Sequence, residues 1–126
     1  MVSARHGIAV SHEGPDVAVL ALTGEHDQYT SRAVSETIAE ALAAGRSVVV
    51  DLRQTAFLDS TSAGALLVAD QRATAAGLRL VIVLTDETPL PVVRLFETAR
   101  LGQILTVAPA FETALELARS PLQSEA

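Results

Sequence analysis

The sequence predicts an α/β fold: a mixed sheet of four to five strands, begun by an N-terminal hairpin and continued by parallel strands, packed against about four helices. Three observations predict it. The segments Arg46 to Leu52 and Leu78 to Leu84 carry β-branched apolar runs without polar alternation, which is the pattern of strands buried on both faces. Each follows a stretch whose apolar residues recur at helical spacing, as a strand–helix–strand crossover requires. Hydrophobic residues make up 49% of the chain but aromatics only 3%, so the core must be aliphatic, which suits layered strands and helices.

Taken in order, Ile8-Ala9-Val10 and Val17 to Leu22 read as antiparallel strands joined by the turn Glu13-Gly14-Pro15-Asp16. Thr23 to Asp27 then form a polar loop. Thr30 or Ser31 caps a helix whose apolar positions are Val34, Ile38 and Leu42, and Gly45 closes it. After the strand Arg46 to Leu52 comes a short polar loop and a helix from Ser60 to Ala76. Its face is Ala63, Leu66, Leu67, Asp70 and Ala73, with Gly77 as the stop. Right-handed crossovers place these two helices on a common side of the sheet. Thr88 caps a short helix with Pro89 in its first position and Val92, Val93 and Phe96 as its apolar residues, ended by Gly102. Ile104 to Val107 form a last strand. Pro109 starts a C-terminal helix with Phe111, Leu115 and Ala118 inward and Glu112 and Glu116 outward, and residues from about 120 to 126 fray.

The 126 residues match one domain, 1–126, with no repeat or linker. A formal net charge of −6 and the absence of a basic run argue against nucleic acid as a partner. No window approaches the apolar length of a membrane span, and the N-terminus lacks a signal-like apolar region, so the expectation is a cytoplasmic protein without a membrane partner. Cysteine is absent, which excludes disulfides and thiolate chemistry. There is no nucleophile elbow, no phosphate-cradling glycine loop and no histidine spaced to act as a base, so no enzyme, cofactor or small-molecule ligand is indicated. His6, His12 and His26 lack metal-ligand spacing and read as surface residues.

Chemistry concentrates at Phe57-Leu58-Asp59-Ser60-Thr61-Ser62-Ala63-Gly64. A hydroxyl cluster behind an aspartate opens the helix, and a helix start offers unpartnered N–H groups and the positive end of the macrodipole. A phosphate on Ser60 is therefore compatible with the local structure. Ser60 or Asp59 also suits a helix cap, and capping does not exclude modification.

These residues, with Thr23-Gly24-Glu25-His26-Asp27 about thirty positions earlier, resemble the two characteristic segments of STAS domains, and most closely those of anti-sigma factor antagonists. The resemblance covers nearly the whole chain. It implies a single STAS-like fold and a non-enzymatic protein that binds an anti-sigma factor with serine kinase activity, is phosphorylated by it and is then released. It further implies Ser60 as the phosphorylated residue, with Ser62 and Thr61 as alternative acceptors, and Asp27, Asp59, Ser60, Thr61, Ser62, Ala63 and Gly64 as the partner-binding set. Ser62 stands where the family pattern has glycine, which would add a hydroxyl to the docking surface. The alternative function is a STAS scaffold or interaction subunit, never phosphorylated, in a signalling or transport complex.

Overall fold

The computed structural model describes residues 3–5 and 7–121. Six strands form one sheet in chain order: β1 (Ser3–Arg5), β2 (Ile8–Glu13), β3 (Val17–His26), β4 (Ser47–Leu58), β5 (Leu80–Val83) and β6 (Thr106–Ala108). The first three strands pair antiparallel and the pairs from β3 onward are parallel. β1 adds a strand to the hairpin edge that the apolar pattern did not signal. Four helices complete the fold: α1 (Ser31–Ala43), α2 (Ser60–Ala75), α3 (Leu90–Thr98) and α4 (Phe111–Arg119).

The uninterrupted valine runs have a direct cause. Along β4, Val48, Val50 and Leu52 face one core, with Leu20, Ile82, Ile38 and Leu66, while Val49 faces a second with Val17, Val81 and Ala114. Both faces are covered, so no position of the run can be polar without desolvation. Helices α1, α2 and α3 contribute Val34, Ala63 and Val92 to the first core, so the two crossover helices do share a side; α4 alone supplies Ala114 and Ala118 to the second. In α4 the fully buried positions are these alanines, with Phe111 and Leu115 packed around them.

Glycine sets both long helix ends. Gly45 and Gly77 adopt φ of +78° and +74°, a conformation that costs other residues a Cβ clash. In each case the glycine N–H and the next N–H return to the last turn: Gly45 to Leu42 O and Arg46 to Ala41 O, then Gly77 to Thr74 O and Leu78 to Ala73 O.

Several boundaries differ from the sequence reading. β3 and β4 do not stop at Leu22 and Leu52 but pair on to His26 and Leu58, through register shifts after Ala21 and Gly24. The buried Thr55 hydroxyl donates to Leu22 O at 2.8 Å, which satisfies a carbonyl within the irregular stretch. β5 is shorter than Leu78 to Leu84, and the last strand starts at Thr106, leaving Ile104 63% exposed. Thr88 does not cap α3. Its hydroxyl accepts the Thr85 N–H within the preceding turn, Pro89 takes the cap position and Pro91 falls in the first turn. Nor does Gly102 end that helix: Arg100 adopts the left-handed φ of 53°, and Gly102 lies inside a following 3-10 turn. α4 starts at Phe111 rather than Pro109. Of the tail expected to fray, residues 122–126 lie outside the described residues.

Leu66 is 0% exposed in the middle of α2, so Leu66→Ala should lower unfolding free energy by about 2 to 5 kcal/mol in a urea titration. Val68→Ala, at a position 47% exposed on the same helix, should change it by less than about 0.5 kcal/mol.

Candidate functional site

The extended β3–β4 ladder brings the two characteristic segments together. Its last pair is His26 with Leu58, and the next N–H, that of Asp59, donates to His26 O at 3.1 Å. The chain thus leaves the ladder and enters α2 within a single residue. Asp59 has the extended φ and ψ of a cap, and its Oδ1 accepts the Ser62 N–H at 2.9 Å. The cap is Asp59, which leaves Ser60 as the first helical residue.

Helical geometry then divides the first turn by direction. Ser60 and Thr61 are exposed, and the Ser60 hydroxyl has no hydrogen bond among the described residues. Ser62 and Ala63 point inward, at 2% and 5% exposure. The Ser62 hydroxyl donates to Asp27 O at 3.3 Å, pinning the helix start to the neighbouring loop. Ser62 therefore does not add a hydroxyl to an outer surface, and neither it nor Ala63 is open to a kinase or partner. The inward direction follows from Asp59 as cap, which turns the third helical position toward the sheet. Gly64 is half-buried, and a Cβ built on it would meet nothing within 4 Å.

Asp27 is held by its own turn. Its Oδ1 accepts the Tyr29 N–H at 2.9 Å, and its carbonyl accepts the N–H groups of Thr30 and Ser31. Thr30 stands at the cap position of α1 but makes no side-chain cap bond; its hydroxyl instead accepts the Asp27 N–H. His26 was expected on the surface and is 0% exposed, whereas His12 is exposed and His6 lies outside the described residues. Hydropathy gave no warning of His26, because a buried imidazole needs polar partners that only the folded loop supplies. Two aromatics flank the site: Tyr29, which no sequence pattern singled out, is 83% exposed in the loop after β3, and Phe57 is 44% exposed two residues before Asp59.

The electrostatics are acidic. Asp27 and Asp59 lie on either side of the junction, and the nearest arginine along β4, Arg53, is engaged elsewhere. Its guanidinium forms a bidentate pair with Asp51, at 2.8 Å for Nη2, and lies 5.3 Å from the centre of the Phe111 ring. The Asp51 hydrogen bond raises the Arg53 pKa above its usual value, against the effect of burial.

The family model described as "Mlab, STAS domain" matches residues 9–107. The chain belongs to the STAS domain family. No curated protein matches it significantly. Solved structures share the fold. An anti-sigma factor antagonist from Mycobacterium paratuberculosis is 21% identical over 90% of this chain and 93% of its own, with a TM-score of 0.76. The unphosphorylated form of the anti-sigma factor antagonist SpoIIAA is 21% identical over 92% of this STAS chain and 99% of its own, with a TM-score of 0.72. The phosphorylated form of the Bacillus cell fate determinant SpoIIAA is 23% identical over 89% and 99%, with a TM-score of 0.64. Among the described residues, no helix is long and apolar enough to cross a membrane.

Farther along α2, burial raises the Asp70 pKa above 3.8, with Arg79 acting in the opposite sense. The folded STAS domain thus binds this proton more tightly than the unfolded chain, so stability falls as pH rises from 3.8 through the folded value. Asp70→Asn should melt above wild type at neutral pH, with the gap narrowing near pH 3.8; a gap that widens on acidification would reverse the sign.

Proposed function

We propose that this STAS protein is an anti-sigma factor antagonist: unmodified, it binds an anti-sigma factor that is also a serine kinase, and phosphorylation of Ser60 releases it, so controlling sigma-factor availability in the cytoplasm. One observation carries the reading. Ser60 presents an unbonded, exposed hydroxyl at the first helical position, while Asp59 and Ser62 hold the structure around it. Thr61 is the remaining alternative acceptor, being exposed beside it.

Charge supplies the switch. A phosphate adds about −1.5 to −2 charges at neutral pH. It would join Asp27 and Asp59, with Arg53 committed to Asp51. At the helix start it meets the favourable end of the macrodipole, so the fold tolerates it. Beneath a docked partner it must be desolvated beside two carboxylates, and each ~1.4 kcal/mol of that penalty weakens binding tenfold. The docking surface comprises Asp27, Asp59, Ser60, Thr61 and Gly64, bordered by Tyr29 and Phe57, whose exposed rings suit an interface.

A second reading keeps the surface but removes the switch: a STAS interaction subunit of a signalling or transport complex, never phosphorylated. The matching family model, described as "Mlab, STAS domain", is compatible with both readings.

Affinity capture of the partner from lysate, followed by titration with Ser60 variants, separates the two. Ser60→Glu should keep the wild-type melting temperature yet lose partner binding by at least about tenfold, and Ser60→Ala should bind and resist release by ATP. Wild-type affinity in the glutamate variant would exclude a charge switch at this position. Gly64→Ala should stabilise the isolated protein by about 0.5 to 1 kcal/mol, since alanine suits a helix interior and its Cβ meets open space, while weakening a partner that approaches closely there. Unchanged affinity would remove Gly64 from the docking surface.

A further inference from the structure

We infer that His26 is the positioning residue of the Ser60 site, its imidazole donating from Nε2 and accepting at Nδ1. The inference rests on the reading above only in treating the start of α2 as the working surface. His26 is 0% exposed, and both ring nitrogens have partners: Nε2 lies 3.1 Å from Thr23 O and Nδ1 lies 3.1 Å from Thr30 Oγ1. A carbonyl oxygen only accepts, so Nε2 bears the hydrogen. With the hydrogen on Nε2, Nδ1 is assigned as the acceptor and the Thr30 hydroxyl as its donor.

This choice governs the neighbouring carbonyl. The Thr30 hydroxyl has one proton, and besides Nδ1 it has a second acceptor within reach, Asp27 O at 3.3 Å. Asp27 O already receives the N–H groups of Thr30 and Ser31 and the hydroxyl of Ser62. A fourth donor would compete with Ser62 for two lone pairs. By drawing the Thr30 proton to itself, Nδ1 leaves Asp27 O to Ser62, while Thr30 Oγ1 accepts the Asp27 N–H. The main chain of His26 makes the other tie, since its carbonyl accepts the Asp59 N–H. One residue thus controls both bonds that join the start of α2 to the Asp27 loop. Its surroundings are tight: a Cβ added to Gly7 would lie 2.5 Å from Thr23 O and 3.3 Å from Nε2.

The test uses the isolated full chain and no kinase, so its outcome is independent of the proposed function. Nitrogen NMR of the imidazole should show the Nε2–H tautomer. In amide hydrogen exchange, His26→Leu keeps an apolar filling but neither ring bond, and should speed exchange at Asp27 and Asp59 by about tenfold relative to the core amides of Val49 and Val81. His26→Gln, whose side-chain amide can both donate and accept, should stay within about threefold of wild type at both sites. An Nδ1–H tautomer, unchanged protection at Asp27 and Asp59 in the leucine variant, or a uniform loss that includes Val49 and Val81 would each overturn the assignment.

Discussion

The parallel ladder between β3 and β4 is the constraint on which the site depends. It runs from Val17 opposite Ser47 to His26 opposite Leu58, whereas β5 accompanies β4 only from Val48 to Asp51. Beyond Leu22 and Leu52 the two strands therefore form a two-stranded ribbon reaching past the sheet. Because parallel strands end at the same edge, the loops that follow them emerge side by side, and functional groups gather there. Asp27 and Asp59 are 32 positions apart in the chain, yet the Asp59 N–H reaches His26 O and the Ser62 hydroxyl reaches Asp27 O.

From that anchorage, helical periodicity separates inward from outward side chains within five residues. Asp59 caps, Ser62 and Ala63 are buried, and Ser60 and Thr61 face outward. The outward pair makes no contact that the fold needs, so its charge can change without repacking the interior. The inward pair makes none that a partner can reach. Asp59 serves both sides: its carboxylate satisfies the Ser62 N–H and also sets the acidic field in which a phosphate would sit.

How much of this was legible in the sequence follows from what each residue's environment demands. Val48 to Val50 announced a central strand because both sheet faces exclude water, a condition that composition reflects directly. α1 and α2 were legible from their apolar spacing and their terminal glycines, which the positive φ at Gly45 and Gly77 explains. The polar residues Thr23 to His26 read as a loop because they pair in a ribbon with little core to cover, so their strand character comes from the ladder and not from hydropathy. Arg100 in a left-handed conformation carries no signal in its residue type, and Thr88 closes a local turn onto the Thr85 N–H where a helix cap reads equally well from the sequence. At the site, Ser60, Asp59 and Asp27 were nameable from the motif, but the burial of Ser62 and His26 was not: the Ser62 hydroxyl bonds to Asp27 O, 35 positions earlier, and His26 is held by Thr23 O and Thr30 Oγ1, which meet its ring only once the loop has folded.

The central claim is that a negative group on Ser60 changes what the surface can bind while leaving the fold as it is. The most direct measurement compares amide NMR spectra of the chain before and after stoichiometric phosphorylation of Ser60. Shifts confined to residues 27–31 and 57–64, with the amides of β5 and α4 unmoved, are the predicted result. Shifts spreading through β5 and α4, or a collapse of spectral dispersion, would show that the phosphate acts by rearranging the domain and would contradict the account.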